Sequence, residues 1–200
     1  MAYRYPVLIE SPSLYKFLSF HIFTMAISLL KGETIENLDF TEGMVLVLKS
    51  NKFNLTPVVE RLILTRIPLY NSTGDILLEI VFRKGRNVIF LNDRARKAIG
   101  KGWGKPKIVD LNPRDVDKWW QSGITISVHH CSTASGLGRY QILLGLTTVC
   151  YFDKRFPGGA TQLKYQDDKG ANILQDIVSV CVYELSDLQP EEQQAIKSGR

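Results

Sequence analysis

Between Ile76 and Arg94 the chain carries two alternating runs joined by a glycine turn, a pattern that fits little other than a β-hairpin. Side chains alternate across a strand, so Leu77, Glu79, Val81 and Arg83 share one face while Ile76, Leu78, Ile80 and Phe82 share the other. The second face is wholly apolar and must meet a core. After the turn at Lys84-Gly85-Arg86, the return strand places Val88, Phe90 and Asn92 on one side and Ile89 and Leu91 on the opposite one. Glu79, Arg83 and Asn92 are therefore expected on the outer face, with Trp103 just downstream between Gly102 and Gly104. The two glycines permit a sharp turn there.

Turn residues recur at short intervals along the rest of the chain, with β-branched and aromatic runs between them, which predicts an all-β sandwich of two antiparallel sheets. Expected strands are Met44 to Leu48, Leu62 to Leu64, Ile76 to Phe82, Val88 to Asn92, Ile124 to Val128, Tyr140 to Leu144, Thr147 to Tyr151, Thr161 to Tyr165 and Ile177 to Tyr183. No long helical period precedes the C-terminus, and Trp119-Trp120, read as extended chain, would turn one indole inward and one outward. From Asp187 to Lys197, proline and acids come early and lysine late, which suits a short helix. Its apolar face is only Leu188 and Ile196, so it is expected to be a loosely attached tail from 188 to 200. Residues 1–20 read as an N-terminal extension and 21–187 as one domain.

Two hundred residues at 44% hydrophobic content suffice for one continuous core. The three cysteines, Cys131, Cys150 and Cys181, are too few and scattered for a disulfide framework or a zinc site with paired spacing. In His129-His130-Cys131 only His129 and Cys131 could converge from a strand, so no metal is expected. Phe17 to Leu30 is apolar but has no small-residue cleavage site and carries His21, with Lys16 directly before it. It reads as a buried strand, with a signal peptide as the alternative. Synthesis in the cytoplasm without a signal peptide is expected, with a non-classical export route left open.

The net charge of +5 is concentrated around Trp103, where Arg94, Arg96, Lys97, Lys101, Lys105 and Lys107 are opposed only by Asp93. Such a loop is either simply solvated or an anion-attracting rim beside a ligand groove. Nucleic-acid binding through the same residues would show as a steep salt dependence.

The hairpin followed by Gly102-Trp103-Gly104 resembles the galectin family, and the mushroom galectins in particular. Weaker likeness extends back to Ile27-Ser28-Leu29-Leu30 and forward through Arg139-Tyr140-Gln141-Ile142 and Val149 to Arg155 as far as Val178-Ser179-Val180. The resemblance implies a galectin-type β-sandwich (jelly roll), non-catalytic β-galactoside binding without a cofactor, and assembly into homo-oligomers. Family members bind sugar through a His-x-Asn-x-Arg strand, an Asn-bearing strand and a Trp-Gly-x-Glu-x-Arg turn. On this chain the matching positions are Arg83, Asn92 and Trp103. The family histidine falls on Glu79, its middle asparagine on Val81, and its glutamate and second arginine on Pro106 and Ile108. The segment between Asn92 and Trp103 is also longer than in the mushroom proteins.

The carbohydrate-binding residues expected from this pattern are Glu79, Arg83, Phe90, Asn92, Trp103, Lys105 and Lys107. An indole offers a sugar's apolar C–H face a flat π surface. An arginine supplies a rigid donor fork and an ionised glutamate supplies acceptors only, so Glu79 reverses the polarity of the family's histidine. Galactose loses most of its polar contacts, and a glycan other than plain lactose is the expected partner. The alternative is a galectin-fold protein that has lost sugar binding and serves assembly. A glycosidase would need two carboxylates astride the bond, and Glu79 has no evident acidic partner.

Overall fold

The structure is a computed structural model, and it describes residues 26–57, 62–96 and 102–199. The N-terminal extension, most of the apolar run from Phe17, and Lys97 and Lys101 of the cationic loop lie outside the described residues. In chain order the elements are β1 (Ile27–Leu30), β2 (Thr34–Phe40), β3 (Met44–Ser50), β4 (Leu64–Tyr70), β5 (Ile76–Arg83), β6 (Val88–Arg94) and β7 (Lys107–Asp110). Helix α1 (Pro113–Ser122) follows, then β8 (Ile124–Cys131), β9 (Arg139–Leu144), β10 (Thr147–Asp153), β11 (Ala160–Lys164), β12 (Gln166–Asp167), β13 (Ile177–Glu184) and α2 (Pro190–Ser198). One sheet runs β1-β13-β3-β8-β9-β10 and the other β2-β11-β4-β5-β6-β7, with β12 beside β4. Every pairing is antiparallel.

The core lies between the sheets. Leu46, Leu48, Ile126, Val128, Ile142 and Val180 come from the first sheet, and Ile67, Leu69, Leu78, Ile80, Phe82, Ile89 and Leu91 from the second. Burying this much apolar surface, at about 25 cal/mol per Å², is what drives the sheets together. Pro68 lies within β4, a position a sheet interior seldom tolerates because proline has no N–H to give the ladder. The neighbouring strand breaks there: β11 pairs with Leu69 and Tyr70, β12 with Thr65 and Arg66, and nothing pairs with Pro68 between them on that side. This gap also accounts for the fourth strand running over Leu64–Tyr70 and not over Leu62 to Leu64.

Three further expectations are corrected. Trp119 and Trp120 are not extended but sit in α1, which starts where the Asn112 side chain accepts from the Arg114 N–H at 3.0 Å, with Pro113 in the first turn, and ends at Gly123 with φ 77°. Trp119 is buried and Trp120 exposed, as a helix face rather than strand alternation requires. The C-terminal helix is docked and not loose: Leu188 and Ile196 are buried with Val45, Val47 and Leu143 on the outer face of the first sheet. The Ile196 carbonyl also accepts from Gln141 Nε2 at 3.0 Å. Of the apolar run, β1 buries Leu29 and leaves Ile27 and Leu30 exposed.

His130 lies buried between the Phe40 and Tyr140 rings, with its Nε2 accepting from the Lys154 ammonium at 2.8 Å. Burial first, and then the Lys154 charge, push its imidazolium pKa down to about 4. The unfolded chain would take up that proton near pH 6.5, so the native state loses stability as pH falls from about 6.5 towards 4. A displacement of this size corresponds to roughly 3–3.5 kcal/mol. Denaturant unfolding at stepped pH should show that loss, and His130→Gln, which keeps an acceptor for Lys154, should flatten it.

Candidate functional site

The outer face of the second sheet is built from rows of paired residues. Pro68, Glu79 and Asn92 form one row, because Glu79 is the register partner of both its neighbours. Arg66, Val81, Phe90 and Ile108 form the next. Arg83 lies at the hairpin end opposite Leu64, and Arg94 lies opposite Ile76 at the other end of β5. The expected alternation is interrupted at one place. The register of β5 and β6 shifts between Ile76 and Glu79, and Leu77 lies in the core with Leu78 instead of sharing the Glu79 face. Such a bulge re-aims side chains locally, and it falls beside Arg94.

Glu79 is the most unusual group on this face. It is only 9% exposed, although its carboxylate oxygens are not among the buried polar atoms that lack a partner among the described residues. Burial raises its pKa, against the opposing pull of the Arg66 and Arg94 guanidiniums, which stand beyond contact distance on either side. Tyr70 is its other neighbour: burial, and then the Glu79 charge, raise the phenol's pKa, while Arg94 lowers it.

Glu79 and Arg83 do not meet. Four strand residues span about 13 Å, and the guanidiniums that flank Glu79 are those of Arg66 and Arg94. Arg66 is held by Asp168 at 3.1 Å. Asn92 is spent on one side only: its Oδ1 accepts from the Asp93 N–H at 2.9 Å, which leaves the amide N–H groups directed elsewhere. Phe90 is half-buried beside Val81 and Ile108, and Ile108 is 58% exposed.

Trp103 is bridged to Arg94 across an isolated pair, is 39% exposed, and carries the Arg94 guanidinium 5.2 Å from its ring centroid. Its loop is fixed from the other sheet. Arg155 donates through Nε to Asp93 Oδ1 at 2.6 Å and through Nη2 to the Gly102 carbonyl at 3.2 Å, while the Gly104 N–H donates to the Asp93 carbonyl at 2.9 Å. A Cβ on Gly104 would overlap the Asp93 carboxylate, so only glycine fits there. Asp93 is 2% exposed, and removing the partner of a buried charge is strongly destabilising. Because Arg155 is itself half-exposed, Arg155→Ala is expected to cost about 2–3 kcal/mol and to broaden the indole N–H signal of Trp103 in NMR spectra as the loop loosens.

The cationic rim is dispersed. Lys105 is exposed in the turn after Trp103. Lys107 pairs with Leu91, whose side chain is in the core, and so lies on the opposite side of the sheet from Glu79, where its Nζ donates to the Tyr151 carbonyl of the other sheet at 2.6 Å. Arg96 is engaged with the Asp75 carboxylate and the Thr73 carbonyl. Arg66 and Tyr70 share the Glu79 face without having been singled out in the sequence, where the Leu64-x-Arg66-x-Pro68-x-Tyr70 alternation carries them, and Arg94, expected in the cationic loop, joins them at the bulge. Cys131 Sγ lies 3.3 Å from His129 Nδ1 on the other sheet, but among the described residues no three His, Cys, Asp or Glu side chains gather as a metal site. No described helix is long and apolar enough to cross a membrane.

No protein-family model matches the sequence. Among solved structures, Xenopus laevis galectin-Ib is similar over 76% of this chain and 99% of its own, at 16% identity and a TM-score of 0.53. A double mutant of human galectin-16 is similar over 79% and 99%, at 15% identity and 0.53. Caenorhabditis elegans galectin LEC-6 is similar over 78% and 95%, at 17% identity and 0.51. With its two antiparallel sheets in the order given above, the chain has the galectin-type β-sandwich.

Proposed function

We propose that this protein is a carbohydrate-binding lectin of galectin type, recognising a glycan without chemistry in the groove above Glu79, Arg83, Asn92 and Trp103. The observation that carries the reading is the outer-face row in which Glu79 and Asn92 are register partners, with Trp103, 39% exposed, beside Arg94 at its end. A ligand hydroxyl or amide N–H could donate to the Glu79 carboxylate. Plain lactose is disfavoured, since Glu79, Pro106 and Ile108 stand where the family pattern has histidine, glutamate and arginine. Its register partners Pro68 and Asn92 put no acid opposite Glu79, which argues against a glycosidase. A glycan array probed with the full chain tests the reading: retained glycans without lactose among the strong ones support it, and a blank array refutes it.

A second reading draws on a different surface. Leu30 on β1 and Ile177 on β13 are register partners exposed side by side at the edge of the first sheet, a patch suited to assembly between copies. A blank array together with a concentration-dependent increase in mass would favour assembly without sugar binding.

A further inference from the structure

The outer face of the first sheet carries two neighbouring polar rows beside α2. His129, Gln141 and Tyr151 are register partners across β8, β9 and β10, and Cys131, Arg139 and Asp153 form the next row. His129, Cys131, Arg139, Gln141 and Tyr151 line a cavity of about 780 Å³. Gln141 fixes the chemistry inside it. Its Nε2 donates to Thr148 Oγ1 at 2.8 Å and to the Ile196 carbonyl at 3.0 Å, which uses both amide hydrogens. Oε1 then faces His129 Nδ1 at 3.2 Å, and because that oxygen only accepts, the imidazole carries its proton on Nδ1. Cys131 Sγ lies 3.3 Å from the same Nδ1. The sulfur therefore meets a hydrogen-bond donor, which suits the thiolate, the form of cysteine that attacks.

Arg139 is the register partner of Cys131 on this face, so a cation stands beside the sulfur as well. Its guanidinium lies 5.6 Å from the Tyr151 ring centroid, and its Nε lies 3.2 Å from the carboxylate of Asp153, itself 78% exposed. An exposed pair of this kind contributes little to the fold and can exchange Asp153 for a carboxylate on a ligand. The other two cysteines are set differently. Cys150 packs against the core, where burial pushes its thiol up to about 11, and Cys181 is buried.

We propose that this cleft is a thiol-exchange site, at which Cys131 forms a mixed disulfide with a small carboxylate-bearing disulfide, of the cystine or glutathione disulfide class, whose carboxylate Arg139 holds. The Cys131 thiol first loses its proton to water. Its sulfur attacks the nearer sulfur of the ligand; the new S–S bond forms as the old one breaks, and the departing half leaves with the electron pair as a thiolate that water protonates. Cys131 is oxidised and the departing sulfur reduced, so the disulfide is itself the oxidant. The site lies on the opposite sheet from Glu79 and does not depend on glycan binding there.

The test is reaction of the full chain with glutathione disulfide and, in parallel, with uncharged hydroxyethyl disulfide, each adduct being located and timed by peptide mass spectrometry. Cys131 should be modified at least about tenfold faster than Cys150 or Cys181, and faster in the folded chain than in the chain unfolded by denaturant. Arg139→Gln should slow glutathione disulfide more than the uncharged reagent. His129→Leu should slow both, and His129→Asn, which keeps an N–H near the place of Nδ1–H, should recover part of the rate. First modification at Cys150 or Cys181, or a Cys131 rate no higher folded than unfolded, overturns the site. Equal slowing of both reagents by Arg139→Gln overturns the carboxylate-bearing ligand. Should a His129 variant fail to fold, the two reagents on the unmodified protein, folded and unfolded, still decide.

Discussion

Trp103→Ala is expected to weaken glycan binding by about 2–4 kcal/mol, the range of an interface hot spot, which is roughly thirty- to nearly a thousandfold in Kd. The thermal midpoint should hardly move. The indole is 39% exposed and its ring contact is a cation–π pair with Arg94, an exposed residue, a contact that contributes on the order of 0.5–1 kcal/mol. The loop itself is held by backbone groups of Gly102 and Gly104 and by the Asp93–Arg155 pair, none of which needs the indole. Calorimetry with the best array glycan, beside a melting curve, checks both halves. A variant that unfolds would show that Trp103 serves the loop and not a ligand; unchanged binding by a folded variant would move the site away from β6 and β7.

The legible part of this molecule is the part governed by local alternation. Ile80 and Phe82 facing inward against Glu79 and Val81 facing outward could be read from the chain, as could the paired positions of Glu79 and Asn92, because a tight turn at Lys84-Gly85-Arg86 fixes the register of the hairpin. The reading failed where a local pattern met a tertiary constraint. Leu77 obeys alternation in sequence, but a bulge opposite Arg94 turns it into the core. Leu64–Tyr70 holds Pro68 in its interior, and only the break between β11 and β12, brought in from about a hundred residues away, makes room for it. A strand ending at Leu64, as expected from the sequence, leaves out Arg66 and Tyr70, two neighbours of Glu79. In α1 the helix signals were present, an asparagine cap before a proline at Asn112-Pro113 and a glycine stop at Gly123. The cationic cluster around Trp103 was compositional, and composition does not say which lysine crosses the sheet edge to a carbonyl and which arginine lies on an indole.

The combined variant Glu79→His, Pro106→Glu, Ile108→Arg is expected to create galactoside binding, taking lactose from a Kd beyond about 10 mM to below about 1 mM, a gain of at least 1.4 kcal/mol. Ile108 is well placed for the change: it pairs with Phe90 on the groove face and its side chain is 58% exposed, so an arginine there can reach the ligand without displacing core. Residue 106 lies two positions earlier, on the same side by strand alternation, so a glutamate there can orient that arginine through a charge-assisted pair. A histidine at position 79 replaces an acceptor-only carboxylate with a group able to donate to an axial hydroxyl. Arg83 and Asn92 already occupy their positions on β5 and β6. The remaining requirement is that the connection between Asn92 and Trp103 present the indole over the same spot, where Arg94 now lies against it. Titration of a correctly folded variant with lactose therefore tests the features left untransferred, the loop and Val81. If no binding appears, the Arg94–Trp103 pair has closed the galactose position by its own geometry, and the exposed pair of Leu30 and Ile177 becomes the better place to look for a partner.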